Sequence, residues 1–178
     1  MNSKNITLPL SRIDARSLKA GDLCYLTGTL FVLRDAGHMR LLEEIGHDHS
    51  LPYGLAGQII FYAGPTPAAA GRPFGSIGPT TSSRMDFAAP KLYEMGIVGT
   101  IGKGYRSEEV HKACIEYSSV YFVAPGGAAA LLAKCVTSAE VVAYDDLGTE
   151  ALRKITVKDF PVFVGIDTSG DDIYEIVR

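Results

Sequence analysis

Three short stretches set cations and hydroxyls beside glycines, where a small anion could be held. The first is Arg34-Asp35-Ala36-Gly37-His38, directly after the apolar run Leu30 to Leu33. A guanidinium at the end of a strand can grip a carboxylate through two parallel hydrogen bonds. Arg34 and Asp35 would equally serve as the solvated mouth of a helix. The second is Gly78-Pro79-Thr80-Thr81-Ser82-Ser83-Arg84-Met85-Asp86, with consecutive hydroxyls ahead of a helix start and Arg84 as a fixed cation. Such a segment binds anions, or supplies an N-cap with serines to spare. A hydroxyl beside several cations can also have its pKa lowered enough to move a proton. The third is Gly99-Thr100-Ile101-Gly102-Lys103-Gly104. A Walker phosphate loop needs glycine where Ile97 stands and Ser or Thr where Gly104 stands, so a nucleotide site fails. What remains is a lysine between glycines, open to a small anion or to water. Arg34, Arg84 and Lys103 are cations at the ends of successive elements without an equal set of nearby acids. A dianionic small molecule would match them.

Other polar groups carry less. His47-Asp48-His49 has imidazoles two residues apart with no further ligand set by spacing, which fits a solvated loop better than a metal site. Gly126-Gly127 followed by alanines is either a helix mouth open to a ligand or tight packing. Cys24, Cys114 and Cys135 are widely spaced among apolar neighbours and form no CxxC, so buried, reduced thiols are expected and no metal site.

The elements that must position these groups alternate. Gly21 to Leu33 is rich in aromatic and branched residues, predicting a strand with Gly28 as a bulge. Ala36 to Ile45 has helical spacing, and Gln58 to Ala63 is a short buried strand. Thr66 to Thr81 is punctuated by Pro67, Gly71, Pro73, Gly75, Gly78 and Pro79 and must be a loop. Ser82 to Met95 reads as a helix started or bent by Pro90. A βαβ rhythm follows: strand at 97–101, helix at Glu108 to Tyr117, strand at Val120 to Val123, helix at Ala128 to Lys134, strand at Ala139 to Tyr144. Glu150 to Lys154 reads as a helical turn and Ile155 to Asp167 as strand pieces bent at Pro161. The expectation is one α/β domain of mixed sheet over residues 1–178, with 1–17 an N-terminal extension.

The 178 residues are 47% hydrophobic and 21% charged, which excludes disordered and fibrous classes. A net charge of -3 with interspersed signs argues against a nucleic-acid surface. The longest apolar stretch, Val120 to Ala133, is broken by Pro125, Gly126 and Gly127 and is shorter than the ~20 residues of a spanning helix. The N-terminus lacks an apolar core of a signal peptide, so a cytoplasmic location and no membrane are expected.

These motifs, in this order, resemble the β subunit, or C-terminal region, of iron–sulfur class I fumarate hydratases and the related tartrate dehydratases. The resemblance runs from about Leu18 to Gly170, through Gly-Asp-Leu-Cys-Tyr-Leu-Thr-Gly-Thr, Arg34 to His38, Tyr62-Ala63-Gly64-Pro65, Gly78 to Asp86, Gly102-Lys103-Gly104, Asp146-Leu147-Gly148 and Asp159-Phe160-Pro161. It implies a swivelling β/β/α domain. It also implies that Arg34, Arg84 and Lys103 bind a small dicarboxylate substrate while Thr80 is the catalytic base. The [4Fe–4S] cluster would be carried by a partner α subunit, with none bound by this chain, which would be inactive alone. A hetro-oligomer is therefore expected in the cell, and the isolated chain could still self-associate. Fumarate with malate is the first substrate pair and tartrate the alternative; a non-catalytic module that binds small dicarboxylates is the reading from another class. At Gly37 this chain has glycine where many relatives have alanine.

Overall fold

Short apolar runs with helices between them become parallel strands with crossovers. The computed structural model describes residues 3–68 and 70–176. In chain order the elements are β1 (Ser3–Thr7), α1 (Arg12–Ala15), β2 (Leu23–Val32), α2 (Asp35–Asp48), β3 (Ile59–Phe61), a 3-10 turn (Ser82–Met85), α3 (Ala89–Met95) and β4 (Gly99–Gly102). They continue as α4 (Glu108–Tyr117), β5 (Val120–Val123), α5 (Ala129–Lys134), β6 (Val136–Ala143), a second 3-10 turn (Asp145–Glu150), β7 (Leu152–Ile166) and α6 (Ile173–Ile176).

The mixed sheet expected from the sequence is present. β1 to β5 pair in order and all run parallel, while β7 runs antiparallel to β2, β5 and β6. Because the long β7 bridges β2 and β5, the pairings β2-β3-β4-β5-β7 close on themselves. Side chains alternate in and out of this ring, as a strand's period of two requires. Leu26, Leu30, Phe61, Ile101, Phe122, Phe160 and Val162 fill its inside, where Phe61 and Phe160 meet edge to face at 5.4 Å. Ile60, Tyr62 and Tyr121 point outward and pack with Leu41, Leu92, Tyr93, Val110 and Cys114 of the covering helices.

Several elements differ from the sequence reading for identifiable reasons. Residues 3–7, expected as an extension, form the edge strand β1, and Leu8, Leu10, Ala15 and Leu18 behind it are buried. Its single strong apolar residue, Ile6, is too little for periodicity to register. Ser82 to Met95 splits into a 3-10 turn and α3, which begins with Pro90 in its first turn, where proline's missing N–H costs nothing. The helical turn expected at Glu150 to Lys154 ends at Glu150; Arg153 and Lys154 belong to β7 and pair with β2 and β6. Pro161 does not divide β7. It lies opposite Tyr25, after the last β6 pairing and before the first β5 pairing, so that edge asks it for no N–H. The expected irregularity at Gly28 is there as a register shift against β7. α2 runs through Asp48, so the expected loop starts only at His49, which adopts a left-handed conformation. The side chains of His47 and Asp48 lie outside the described residues.

The thiols are separated by the sheet. Cys24 packs inside the ring and Cys114 under the helices, both fully covered, while Cys135 is half-buried. Burial pushes the Cys24 thiol up to about 11 and the Cys114 thiol up to about 12. In the native chain an aromatic disulfide reagent should therefore titrate Cys135 well before the other two, all three reacting once the chain is unfolded. Equal rates for all three in the native state would contradict this core.

Candidate active site

β2, β3 and β4 are parallel, so their carboxyl ends lie side by side. In open α/β sheets this edge is where ligands bind, because the chain leaving each strand there supplies loops and helix starts. Arg34 follows β2 by two residues, Tyr62-Ala63-Gly64 follow β3, and Lys103 follows β4 directly. The segment from Gly78 returns across these ends. The Thr80 N–H donates to the Tyr62 carbonyl at 2.7 Å, the Lys103 N–H donates to the Thr80 carbonyl at 3.3 Å, and the Ser82 N–H donates to the Lys103 carbonyl at 2.9 Å. Thr80 and Lys103 are thus locked to one another through the main chain. Thr80 is largely buried, and among the described residues no protein group hydrogen-bonds its hydroxyl.

The arginines are held by acids. Arg84 leaves the 3-10 turn and grips Asp35 from two nitrogens, Nε and Nη2, each at 2.9 Å. Arg34 points its Nε at Glu150 Oε1 at 3.4 Å and at Asp35 Oδ2 at 4.0 Å, within ion-pair range but outside hydrogen-bond geometry. Glu150 uses its other oxygen to accept the Ala36 N–H at 2.7 Å, capping α2 where Arg34, the N-cap residue, makes no side-chain bond of its own. The Arg34 guanidinium lies against Gly64, where a Cβ would come within 2.8 Å of Cζ, so only glycine leaves room for it. Gly37 allows a similar approach, since a Cβ there would sit 2.7 Å from the Glu150 carbonyl.

Sequence expected the cations to lack an equal set of acids. Two acids, Asp35 and Glu150, stand beside the three cations, which leaves one positive charge in excess. Among the described residues, no carboxylate lies within ion-pair distance of the exposed Lys103. Arg34, Thr80, Arg84 and Lys103 are all found along this one edge: Asp35 joins Arg34 to Arg84, the 3-10 turn joins Arg84 to Thr80, and the main chain joins Thr80 to Lys103. Glu150 escaped the sequence reading because it stands 114 positions from the amide it caps. The signal that could have found it was Asp146-Leu147-Gly148, whose turn delivers it. Gly126-Gly127 carries no polar side chain; the helix after it packs Ala129 against Gly78, where a Cβ would lie 3.0 Å from that methyl group.

His38 completes the first turns of α2. Its ring is fully buried, edge-on to Tyr62 at 5.2 Å, with neither nitrogen hydrogen-bonded. Burial pushes its pKa down to about 3 against the raising effect of the Arg34 carbonyl, and the Arg106 cation adds a smaller push downward. The imidazole is neutral and serves as packing.

Residues 2–177 match the family model described as Fumarase C-terminus. The chain is 42% identical over 152 residues to "Fumarate hydratase class I, anaerobic" of Escherichia coli K12, covering 84% of this chain and 28% of that protein. It is 40% identical over 152 residues to "Fumarate hydratase 1, mitochondrial" of Leishmania major, with the same 84% and 28% covered. It is 36% identical over 175 residues to "L(+)-tartrate dehydratase subunit beta" of E. coli K12, covering 96% of this chain and 86% of that one. The chain therefore spans less than a third of those fumarate hydratases and most of the tartrate dehydratase subunit.

The buried His38 ties stability to pH. An unfolded histidine binds a proton below its ordinary pKa near 6.5 while the folded one does so only near 3, so stability is complete above pH 6.5 and is lost as pH falls from there towards 3. Urea unfolding at pH 7.5 and pH 5 should show a loss of about 2 kcal/mol from this residue. The His38→Phe variant should lack that part of the slope; an unchanged slope would mean that His38 takes up protons equally in the folded and the unfolded chain.

Proposed function

We propose, since the chain belongs to the fumarase C-terminus family, that it is the dicarboxylate-holding part of a hydro-lyase that adds water to, or removes it from, a four-carbon diacid. The observation that carries this reading is the gathering of Arg34, Arg84 and Lys103 around Thr80 along the carboxyl edge of β2 to β4. Arg34 makes no side-chain hydrogen bond among the described residues and Arg84 has Nη1 left after its grip on Asp35, so both can donate to a ligand carboxylate. Lys103 supplies a compact charge without an acid of its own.

Thr80 is assigned the proton transfer. Removing a proton from the carbon next to a carboxylate builds negative charge on that carboxylate, and cations fixed in advance lower the barrier. The same excess positive charge favours a deprotonated hydroxyl over a neutral one, which is the form of Thr80 that can accept the proton. Its main-chain bonds to Tyr62 and Lys103 fix the backbone that carries the hydroxyl beside the backbone of Lys103.

The reading leaves the iron–sulfur cluster expected of the family to a partner subunit, because Cys24 and Cys114 lie on opposite sides of the sheet and cannot converge on one cluster. Bound there, it would supply Lewis-acid chemistry at the departing hydroxyl. A two-subunit arrangement is supported by the match along 86% of a protein named as subunit beta. Fumarate and malate are the first substrate pair, on the identities to fumarate hydratases; tartrate is the second reading, on the near full-length match to the tartrate dehydratase subunit.

In the complex with the cluster-bearing partner, Thr80→Ala should lower kcat by roughly 100-fold with little change in KM, the pattern of a lost base. Arg84→Ala should instead lower kcat/KM by about 30-fold to 1,000-fold, since it leaves a substrate carboxylate and Asp35 without their partner. Steady-state kinetics on malate and on tartrate checks both and identifies the substrate. Near-normal kcat in Thr80→Ala would remove threonine from the chemistry.

A further inference from the structure

Behind Thr80 and Lys103 the protein buries a polar frame that reaches no ligand. The Arg106 side chain is fully covered, and its Nε donates to Asp86 Oδ1 at 2.6 Å. Its Nη1 donates to Thr100 Oγ1 at 3.1 Å, and its Nη2 approaches the Tyr62 hydroxyl at 3.5 Å. The guanidinium carbon sits 4.7 Å from the centre of the Tyr121 ring and 5.4 Å from that of Tyr62, so two aromatic faces help to keep this buried cation. The other Asp86 oxygen accepts the Ser107 N–H at 2.7 Å. Asp86 ends the threonine–serine motif and Arg106 follows the glycine–lysine turn by two residues, so the ion pair clamps the far ends of the two segments that carry Thr80 and Lys103.

The near ends are clamped by one phenol. The Tyr121 hydroxyl lies 2.9 Å from Ser82 Oγ and 2.9 Å from the Gly104 carbonyl, bridging the residue two after Thr80 to the residue next to Lys103. Gly102 makes room for this, since a Cβ there would overlap Ser82 Oγ. Burying a charge, a phenol and several hydroxyls is costly unless each is paired, and an ordinary apolar core would hold the helices as well. What the polar frame adds is direction: Arg106–Asp86 joins the two segments to each other, while Thr100 of β4 and Tyr121 of β5 tie them to the sheet.

We propose that Tyr121, seated by the Arg106–Asp86 pair, is a positioning residue whose hydroxyl sets the offset between the Thr80 oxygen and the Lys103 ammonium. The role rests on the function proposed above. Without the phenolic oxygen the two segments keep their main-chain pairing but lose the bridge at Ser82 and Gly104, and the base drifts from the line of proton transfer while the arginines still hold the carboxylates. Misalignment of about 1 Å is enough to slow a reaction strongly.

The test uses the complex with the cluster-bearing partner and malate or tartrate deuterated at the carbon that loses its proton. Tyr121→Phe, which conserves the ring against Arg106, should lower kcat by about tenfold with KM changed less than about twofold, and should enlarge the deuterium isotope effect on kcat as proton removal becomes slower. Ser82→Ala should act in the same direction, and the double variant should lose no more than the larger single loss, because both remove one bridge. A merely structural contribution would lower the melting temperature and leave the isotope effect where it was. A wild-type isotope effect and kcat in Tyr121→Phe, or losses that multiply in the double variant, would overturn the proposal. A wild-type complex with no activity on either acid would instead remove the proposed function, and the role of Tyr121 with it.

Discussion

Parallel pairing of β2, β3 and β4 is the constraint on which the rest depends, because it brings three chain exits to one edge. Arg34, Tyr62 to Gly64 and Lys103 are those exits, and a strand running the opposite way would carry its own exit to the far edge. The parallel order requires crossovers, and these become α2, α3 and α4 on the outer face. The antiparallel β7 then closes the ring from behind and provides the second wall of the core. The segment from Gly78 to Asp86 crosses the exits and is sewn to them by main-chain bonds, with the Ser82 and Asp86 side chains adding buried bonds to Tyr121 and Arg106.

Electrostatics sets a second constraint. Three cations left together would repel one another and destabilise the edge, and Asp35 and Glu150 offset most of that repulsion while aiming the guanidinium groups. Glu150 does so while capping α2, which couples the orientation of Arg34 to the start of its own helix. One positive charge is left in excess at this edge. Arg106 is the contrasting case. Its charge is consumed inside the protein by Asp86, two tyrosine rings and Thr100, and contributes order rather than attraction.

Much of this was legible in the sequence because it is local. Glu108 to Tyr117 and Val120 to Val123 show their periodicities openly, and Arg34, Thr80, Arg84 and Lys103 stand in glycine-bounded strings that fit the ends of strands. The rest depends on partners far along the chain. β1 is a strand only because β2 lies beside it, Pro161 is tolerated only because no neighbour asks for its N–H, and Glu150 matters only because a turn delivers it to the amide of Ala36. The frame of Arg106, Tyr121 and Ser82 is of the same kind: each residue reads alone as an ordinary surface or core position, and only the fold makes them one network.

The claim at the centre is that one edge of the sheet forms one dicarboxylate site. Arginine side-chain and backbone NMR of the isotope-labelled chain, titrated with malate, tests it most directly. The account expects the Nε–H signals of Arg34 and Arg84 and the amides of Thr80 and Lys103 to shift together along a single binding curve. Shifts confined to distant lysines such as Lys4 and Lys154, or separate curves for Arg34 and Lys103, would contradict it.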